Sequence, residues 1–331
     1  MSAGVVADGL APADLPASLK AEVLLEALPY IHRFSGRVVV VKYGGNAMST
    51  EGDDLSDFAG DIALLVAVGM RVVVVHGGGP QIGALLARLG KESAFVDGLR
   101  VTDGETLDVA RMVLVGSVNR DLVGALNVAG AKAVGLSGED ACTITATPRS
   151  PDLGFVGDVA SVDPQLLEQL MDDGIVPVVA TIGTDGKGQA YNINADTAAG
   201  AVASALAAEK LVYLTDVEGV RRDAGDPATL ASVLTVDELD ELVASGAVHT
   251  GMIPKAVSCA EAVRAGVGQA HVLDGRIPHV LLLEIFTRAG VGTMVTAPAE
   301  RGPSGPAAGP ERGARAERGP SGQAAGQERG T

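Results

Sequence analysis

The chain has 331 residues, 47% of them hydrophobic but only 3% aromatic and none of them Trp, so a sizeable core must be built from Val, Leu, Ile and Ala. Its formal net charge of -16 disfavours nucleic acid or an anionic membrane surface as a partner, because both favour a basic surface. Any anion site must then be made locally, from a few lysines and backbone N–H groups, against the field of the whole chain. The two cysteines, Cys142 and Cys259, make no disulfide framework and read as buried thiols in a reducing compartment. No apolar run reaches the ~18 residues of a membrane span, and the N-terminus lacks the basic start and apolar stretch of a signal peptide, so the expected location is cytoplasmic.

In chain order, three zones follow: an N-terminal arm (1–36), a dense strand–helix alternation (37–296) and a tail (297–331). In the arm, residues 17–34 read as an amphipathic helix with Leu24, Ala27, Leu28 and Ile31 on one face and Pro29 as an expected kink. With no obvious core of its own to cover, that face is expected to meet another subunit. RVVVVKYGG (37–45) reads as a strand buried on both faces and ending in glycines. Leu55, Phe58, Ile62, Leu65 and Val66 recur at helical spacing before Gly69, and RVVVVHGGG (71–79) repeats the strand-plus-glycine pattern ahead of a helix with Pro80 in its first turn. This is a βαβα unit with parallel strands, so both glycine turns fall at the carboxyl edge of one sheet, where ligands of open α/β sheets bind. A long helix (about 104–129), a strand (132–138), short strands and turns (141–159), a helix over VDPQLLEQLMDDG and a buried strand over IVPVVATIG come next. A helix over NADTAAGAVASALAAE, with Asn194 or Asp196 near its cap, precedes the strand KLVYLT and a glycine loop. Helices near 235–245, 252–266 and 279–288, with a strand at 269–273, complete one α/β unit of two lobes. The tail repeats ERGPSGPAAGPERG as ERGPSGQAAGQERG, has almost nothing to bury, and is expected to be disordered.

Lys42 follows four valines and precedes Gly44 and Gly45. At a strand's carboxyl edge such a lysine can point at a ligand while the glycines offer N–H donors; alternatively it is a surface lysine at a strand end. His76-Gly77-Gly78-Gly79-Pro80 leads into a helix N-terminus and is either an anion cradle or a tight βα turn. The GxxxxGK[ST] pattern is absent, which excludes a P-loop kinase, and no acidic residue closes a second strand as a dinucleotide-binding dehydrogenase requires.

VVVVKYGGNAM, VVVVHGGGPQI, GLRVTD, AYNINAD, YLTDVEGV and GMIPK occur in that order over about 37–296. Together they resemble the amino-acid kinase family and, within it, the N-acetylglutamate kinases. The resemblance implies a three-layer αβα fold with a mainly parallel central sheet. An acetylglutamate-binding lobe would occupy about 37–208 and an ATP-binding lobe about 209–296. It implies MgATP-dependent phosphorylation of the side-chain carboxylate of N-acetyl-L-glutamate, a step in arginine biosynthesis. That carboxylate is already ionised, so no general base is needed, and catalysis reduces to positioning and charge stabilisation.

Carried onto this sequence, the resemblance makes Lys42, Lys255 and Asp196 catalytic, with Asp196 holding the two lysines. It puts Gly77, Gly78, Arg100 and Asn192 around the acceptor, and Gly44, Gly45, Thr215, Asp216, Val217, Gly219 and Gly251 around ATP. Mg²⁺ is expected on the phosphates, with no dedicated protein ligands. The arm and HVLDGRIPHVLLLEIFTRAGVGTMV further resemble arginine-inhibited members that form hexamers as trimers of dimers. That resemblance implies an arginine site at Tyr30, Lys210, His271, Glu284 and Gly290. Two other readings remain: another carboxylate or carbamate kinase of the family, or a non-catalytic arginine-sensing subunit, which would have no need of Lys42, Asp196 and Lys255.

Overall fold

In the computed structural model, which describes residues 16–45, 53–223, 225–248, 252–287 and 290–298, the valine-rich runs form the centre of one sheet. Helix α1 (Ala17–Phe34) leads into β1 (Val38–Tyr43), followed by α2 (Asp53–Ala67), β2 (Arg71–His76) and α3 (Gly79–Arg88). A short hairpin, β3 (Phe95–Val96) and β4 (Leu99–Arg100), precedes α4 (Gly104–Val113), a π-helical turn (Leu114–Val118) and α5 (Asn119–Val128). Next come β5 (Ala133–Ser137), β6 (Ile144–Pro148), β7 (Val156–Val162), α6 (Gln165–Asp172), β8 (Val176–Ala180), β9 (Ile182–Thr184), β10 (Ala190–Ile193) and α7 (Ala195–Ala205). The last part holds β11 (Lys210–Thr215), β12 (Val233–Thr235), α8 (Val236–Ala244), α9 (Ile253–Arg264), β13 (Gln269–Asp274), α10 (Val280–Phe286) and β14 (Thr293–Thr296).

The main sheet has the order β12-β14-β13-β11-β1-β2-β8-β5. It is parallel from β13 to β5, and β14 turns antiparallel against β13. Side chains alternate across a strand, and here that alternation sorts the fold into three layers. Val39, Val41 and Tyr43 join the core formed with α2, α3, α4, α5 and α10, whereas Val40 joins the core formed with α6, α7, α8 and α9. Lys42 therefore shares the face of Val40. By the same parity His76 shares the face of Val72 and Val74, that of α5. Val39, Val40 and Val41 are fully buried. Each such side chain contributes roughly 1.5–3 kcal/mol of hydrophobic stabilisation, which holds the strand that presents Lys42 in the middle of the sheet. Strand register aligns Tyr43 with His76 and Leu214, and Thr215 with Asp274, so these carboxyl ends share one edge.

Some expectations change. The apolar run IVPVVATIG is two strands: β8 lies in the main sheet, and after Thr181 the chain enters β9 of a small closed barrel, β10-β7-β6-β9. Both strands are buried throughout, so hydrophobicity does not mark the change of sheet. Cys142 is exposed, not buried; only Cys259 sits in the core. On α1, Ala27 and Ile31 pack against the chain's own core near α10 rather than facing outward, while Val23, Leu24, Leu25 and Leu28 stay exposed. The tail repeat and Gly251 lie outside the described residues.

Candidate active site

Lys42 reaches the site because the strand before it is too apolar to leave the sheet, and its own side chain has only the α7 side to enter. There it meets Asp196 in the first turn of α7, with Nζ 2.9 Å from Oδ1. Asn194 caps α7, its side chain accepting from the Asp196 and Thr197 N–H groups. Lys255, in the first turn of α9, stands 3.5 Å from the other oxygen, Oδ2. Asp196 Oδ1 takes no well-angled hydrogen bond, and the Lys42 ammonium is its counter-charge. Burial alone would push this carboxyl up, but Lys42 and then Lys255 outweigh it and hold it below the ordinary carboxylate range. The Asp196 carbonyl is anchored from two further elements, accepting from Tyr213 Oη (3.2 Å) on β11 and Ser258 Oγ (3.0 Å) on α9. Sequence reasoning missed this anchor; a Tyr inside an otherwise aliphatic strand is the one signal that marks it.

On one side of the lysine pair lies an open cavity of about 170 Å³ lined by Gly77, Gly78, Arg100, Asn192 and Asn194 among others. The Gly77 N–H is bonded to Tyr43 O (3.2 Å), which ties the second glycine turn to the first strand. A Cβ on Gly78 would lie 2.7 Å from Leu114 Cδ2, so any larger residue would have to displace that side chain for the loop to pack against the π-helical turn. Arg100 extends from β4, donates to Gly79 O (2.9 Å) and to Ser93 Oγ, and stacks over Phe95. Asn192 Nδ2 donates weakly to Thr102 Oγ1 at 3.4 Å.

On the other side are Gly44 and Gly45 and the loop after β11. A Cβ on Gly44 would fall 3.2 Å from Lys42 Cε and 3.3 Å from Gly77 N, a space that glycine keeps open between the two turns. Gly45 has φ +73°, a left-handed conformation that glycine adopts without strain. Thr215 Oγ1 accepts from Val217 N (2.9 Å), folding the chain back over Asp216. Gly219 (φ +147°) packs on Thr293 of β14, whose hydroxyl accepts from Val220 N. Arg276 clamps Asp274 beside Thr215 in the sheet register, a neighbour not singled out from the sequence. Among the described residues, no three His, Cys, Asp or Glu side chains gather as a metal site. The donors that do gather, two ammonium groups, the Gly44–Gly45 turn and a glycine turn at the N-terminus of α3, suit phosphate and carboxylate oxygens.

Away from this cleft, Lys210, His271, Glu284 and Gly290 come together, with Tyr30 of α1 packed on the same core. Lys210 Nζ lies 2.9 Å from His271 Nε2, and an ammonium only donates, so that nitrogen accepts. His271 Nδ1–H then donates to Glu284 Oε1 (2.8 Å), and Val291 N–H donates to Oε2 (2.8 Å). Burial pulls Lys210 down to about 8. For Glu284 burial acts upward, but the hydrogen bonds from His271 and Val291 N–H and the nearby Lys210 charge outweigh it and hold the carboxyl below its usual range.

A mainly parallel αβα fold that brings a strand lysine, Lys42, and a helix lysine, Lys255, onto one buried aspartate beside two glycine turns has the arrangement of a phosphoryl-transfer enzyme. Residues 37–274 match the amino acid kinase family, and the chain belongs to it. It is 55% identical over 285 residues to the acetylglutamate kinase of Symbiobacterium thermophilum, an alignment covering 83% of this chain and 97% of the relative. It is 52% identical to the acetylglutamate kinase of Synechocystis sp., over 85% and 95% of the two chains. Among solved structures it is similar to the N-acetylglutamate synthase of Neisseria gonorrhoeae complexed with coenzyme A and N-acetyl-glutamate, at TM-score 0.75 and 31% identity, over 84% of this chain and 64% of the synthase. The same synthase complexed with coenzyme A and L-arginine gives TM-score 0.72 and 28% identity, over 84% and 66%. This chain spans less than two thirds of the synthase's length.

Proposed function

We propose that the chain is an acetylglutamate kinase that moves the γ-phosphoryl group of ATP to the side-chain carboxylate of N-acetyl-L-glutamate, yielding an acyl phosphate for arginine biosynthesis. The observation that carries this reading is the Lys42–Asp196–Lys255 ion pair cluster, with an open cavity walled by Gly77, Gly78 and Arg100 on one side and the Gly44–Gly45 turn on the other. A carboxylate oxygen attacks phosphorus as the bond to the β,γ-bridging oxygen breaks, and ADP leaves with that electron pair. Two unit negative charges ~4 Å apart repel by about 4 kcal/mol at an effective dielectric of about 20. Lys42, beside the transferring group, and Lys255, toward the leaving oxygen, offset that repulsion. Asp196 keeps both in place and leaves the site with one net positive charge for the reactants. Mg²⁺ carried with the nucleotide would neutralise part of its phosphate charge.

In this reading residues 37–208 hold the acceptor, with Arg100 forking onto its α-carboxylate and Gly78 and Asn192 contacting it. Residues 209–296 hold ATP at Thr215, Asp216, Val217 and Gly219, with Gly44 and Gly45 over the phosphates. The Lys210–His271–Glu284 cluster serves as an arginine site, and the solved arginine complex of the similar synthase supports that assignment. The exposed leucines of α1 join copies of this chain into a hexamer built from dimers. ATP-dependent hydroxamate formation, which traps an acyl phosphate, tests the reaction: product is expected with acetylglutamate and is lost progressively as arginine is added. Product with carbamate or another acceptor alone moves the activity elsewhere in the family. No product with any acceptor, together with retained arginine binding, makes the chain a sensor.

A further inference from the structure

His76 belongs to neither the lysine pair nor the arginine cluster, yet it is fully buried at the point where β2 enters the glycine turn. Its tautomer follows from the donors and acceptors that surround it. Arg120 only donates, and it donates to Asn119 Oδ1, which identifies that atom as the amide oxygen. Asn119 Nδ2 is then the donor, its two hydrogens directed at Val178 O (2.8 Å) and His76 Nε2 (3.0 Å), with Leu136 O a longer third acceptor at 3.5 Å. Nε2 accepts, so the ring proton sits on Nδ1, 2.9 Å from Gly77 O, a carbonyl that can only accept. Burial, as the leading cause, lowers the imidazolium pKa to about 4, so the ring is neutral at physiological pH.

The Gly77–Gly78 peptide is trans, as are all the described peptide bonds, so the Gly78 N–H is antiparallel to the Gly77 carbonyl. With that carbonyl held toward the buried ring, the N–H is left on the opposite edge of the peptide plane, and Gly78 lines the cavity together with Arg100 and Asn192. The π-helical turn supports the arrangement. Asn119 N–H reaches back to Leu114 O, and Leu114 and Val118 contact the Gly78 position while Asn119 contacts His76. Widened turns of this kind occur frequently at functional sites. Gly135 of β5 leaves the room required, since a Cβ there would overlap both Asn119 and Arg120.

We propose that His76 is a positioning residue. Through its Nδ1–H it orients the Gly77–Gly78 peptide plane and presents the Gly78 N–H to an anionic group of the acceptor. This rests on the reading of that cavity as the acetylglutamate site. The consequence is selective: loss of the ring proton's hydrogen bond weakens acceptor binding and leaves nucleotide binding alone, because the peptide it aligns faces only one reactant.

Magic-angle-spinning ¹⁵N spectra of the full-length protein labelled at histidine test the tautomer, with His76→Asn assigning the signal. A neutral ring protonated at Nδ1 is expected at pH 7; protonation at Nε2, or a tautomer mixture, overturns the proposal. In steady-state kinetics, His76→Leu is expected to raise KM for acetylglutamate about tenfold or more with KM for ATP within about twofold, the scale of a lost hydrogen bond to a charged ligand. His76→Asn, whose amide nitrogen occupies the Nδ1 position, recovers most of that loss. Equal shifts in both KM values, or no recovery, refute the positioning role even if the variants fold. If wild-type protein makes no acyl phosphate from acetylglutamate, the functional reading fails on its own, and the spectra still decide whether His76 holds the peptide.

Discussion

Lys42 and Asp196 stand 2.9 Å apart with side chains only 6% and 10% exposed, whereas Lys255 meets the same carboxylate at 3.5 Å and is 21% exposed. The two lysines therefore share a counter-ion but differ in burial. Lys42→Ala and Lys255→Ala should each lower kcat by about 10²-fold or more, the scale of a lost transition-state donor. Removing one partner of a buried pair costs about 3–5 kcal/mol, so Lys42→Ala should also unfold at a clearly lower temperature, and Lys255→Ala much less so. Kinetics and thermal denaturation on the same preparations check both halves. Unchanged turnover in either variant would remove the assigned roles.

His76 also has a thermodynamic signature. Its folded-state pKa is about 4 against an ordinary 6.5, so between those values the unfolded chain binds the extra proton. The associated stability is complete above pH 6.5 and is lost as the pH falls toward 4, a change of about 3 kcal/mol. Denaturant titrations across that window should show His76→Asn with a shallower loss than the wild type. Parallel curves would mean the ring is not held neutral.

Glu284 receives His271 Nδ1–H and Val291 N–H on its two oxygens and lies beside Lys210. Glu284→Gln keeps the shape and removes the charge that would receive a guanidinium. The arginine concentration for half-inhibition should rise about tenfold or more, consistent with a charged hydrogen bond of about 1.5–3 kcal/mol. An arginine titration of the variant that overlays the wild type would sink the assignment.

Leu24 and Leu28 of α1 are 72% and 43% exposed, whereas Phe34 at the end of the same helix is 2% exposed. An exposed apolar stripe on a helix whose last turns are docked is the form expected of a subunit contact. Leu24→Glu with Leu28→Glu should shift the protein from hexamer to dimer in sedimentation velocity, with the chain still folded by circular dichroism. A hexamer that survives both substitutions assembles through another surface.

The alternation of buried strands with amphipathic helices, the parallel pairing and the placement of both glycine turns on one sheet edge were legible in the sequence, because a pleat of period two and a helix of period 3.6 leave distinct marks in the order of apolar residues. The sequence marked Lys42 at a strand end as either ligand-facing or surface, and Asn194 or Asp196 as near the cap of α7; the burial of Lys42 and the Asn194 cap are decided by the structure. The ion pair of Asp196 with residues 42 and 255 was suggested only by resemblance, since no periodicity joins positions so far apart. Other features lay beyond any local pattern: the passage of IVPVVATIG from one sheet into a barrel, the exposure of Cys142, the anchoring of Asp196 by Tyr213 and Ser258, and the relay from Arg120 through Asn119 to His76. Each depends on which face of which element meets another, and on which lone pair a donor finds there. The chain's order specifies its elements and their apolar faces; burial and donor–acceptor matching between distant segments, decided only once the layers close, determine which polar groups become the site.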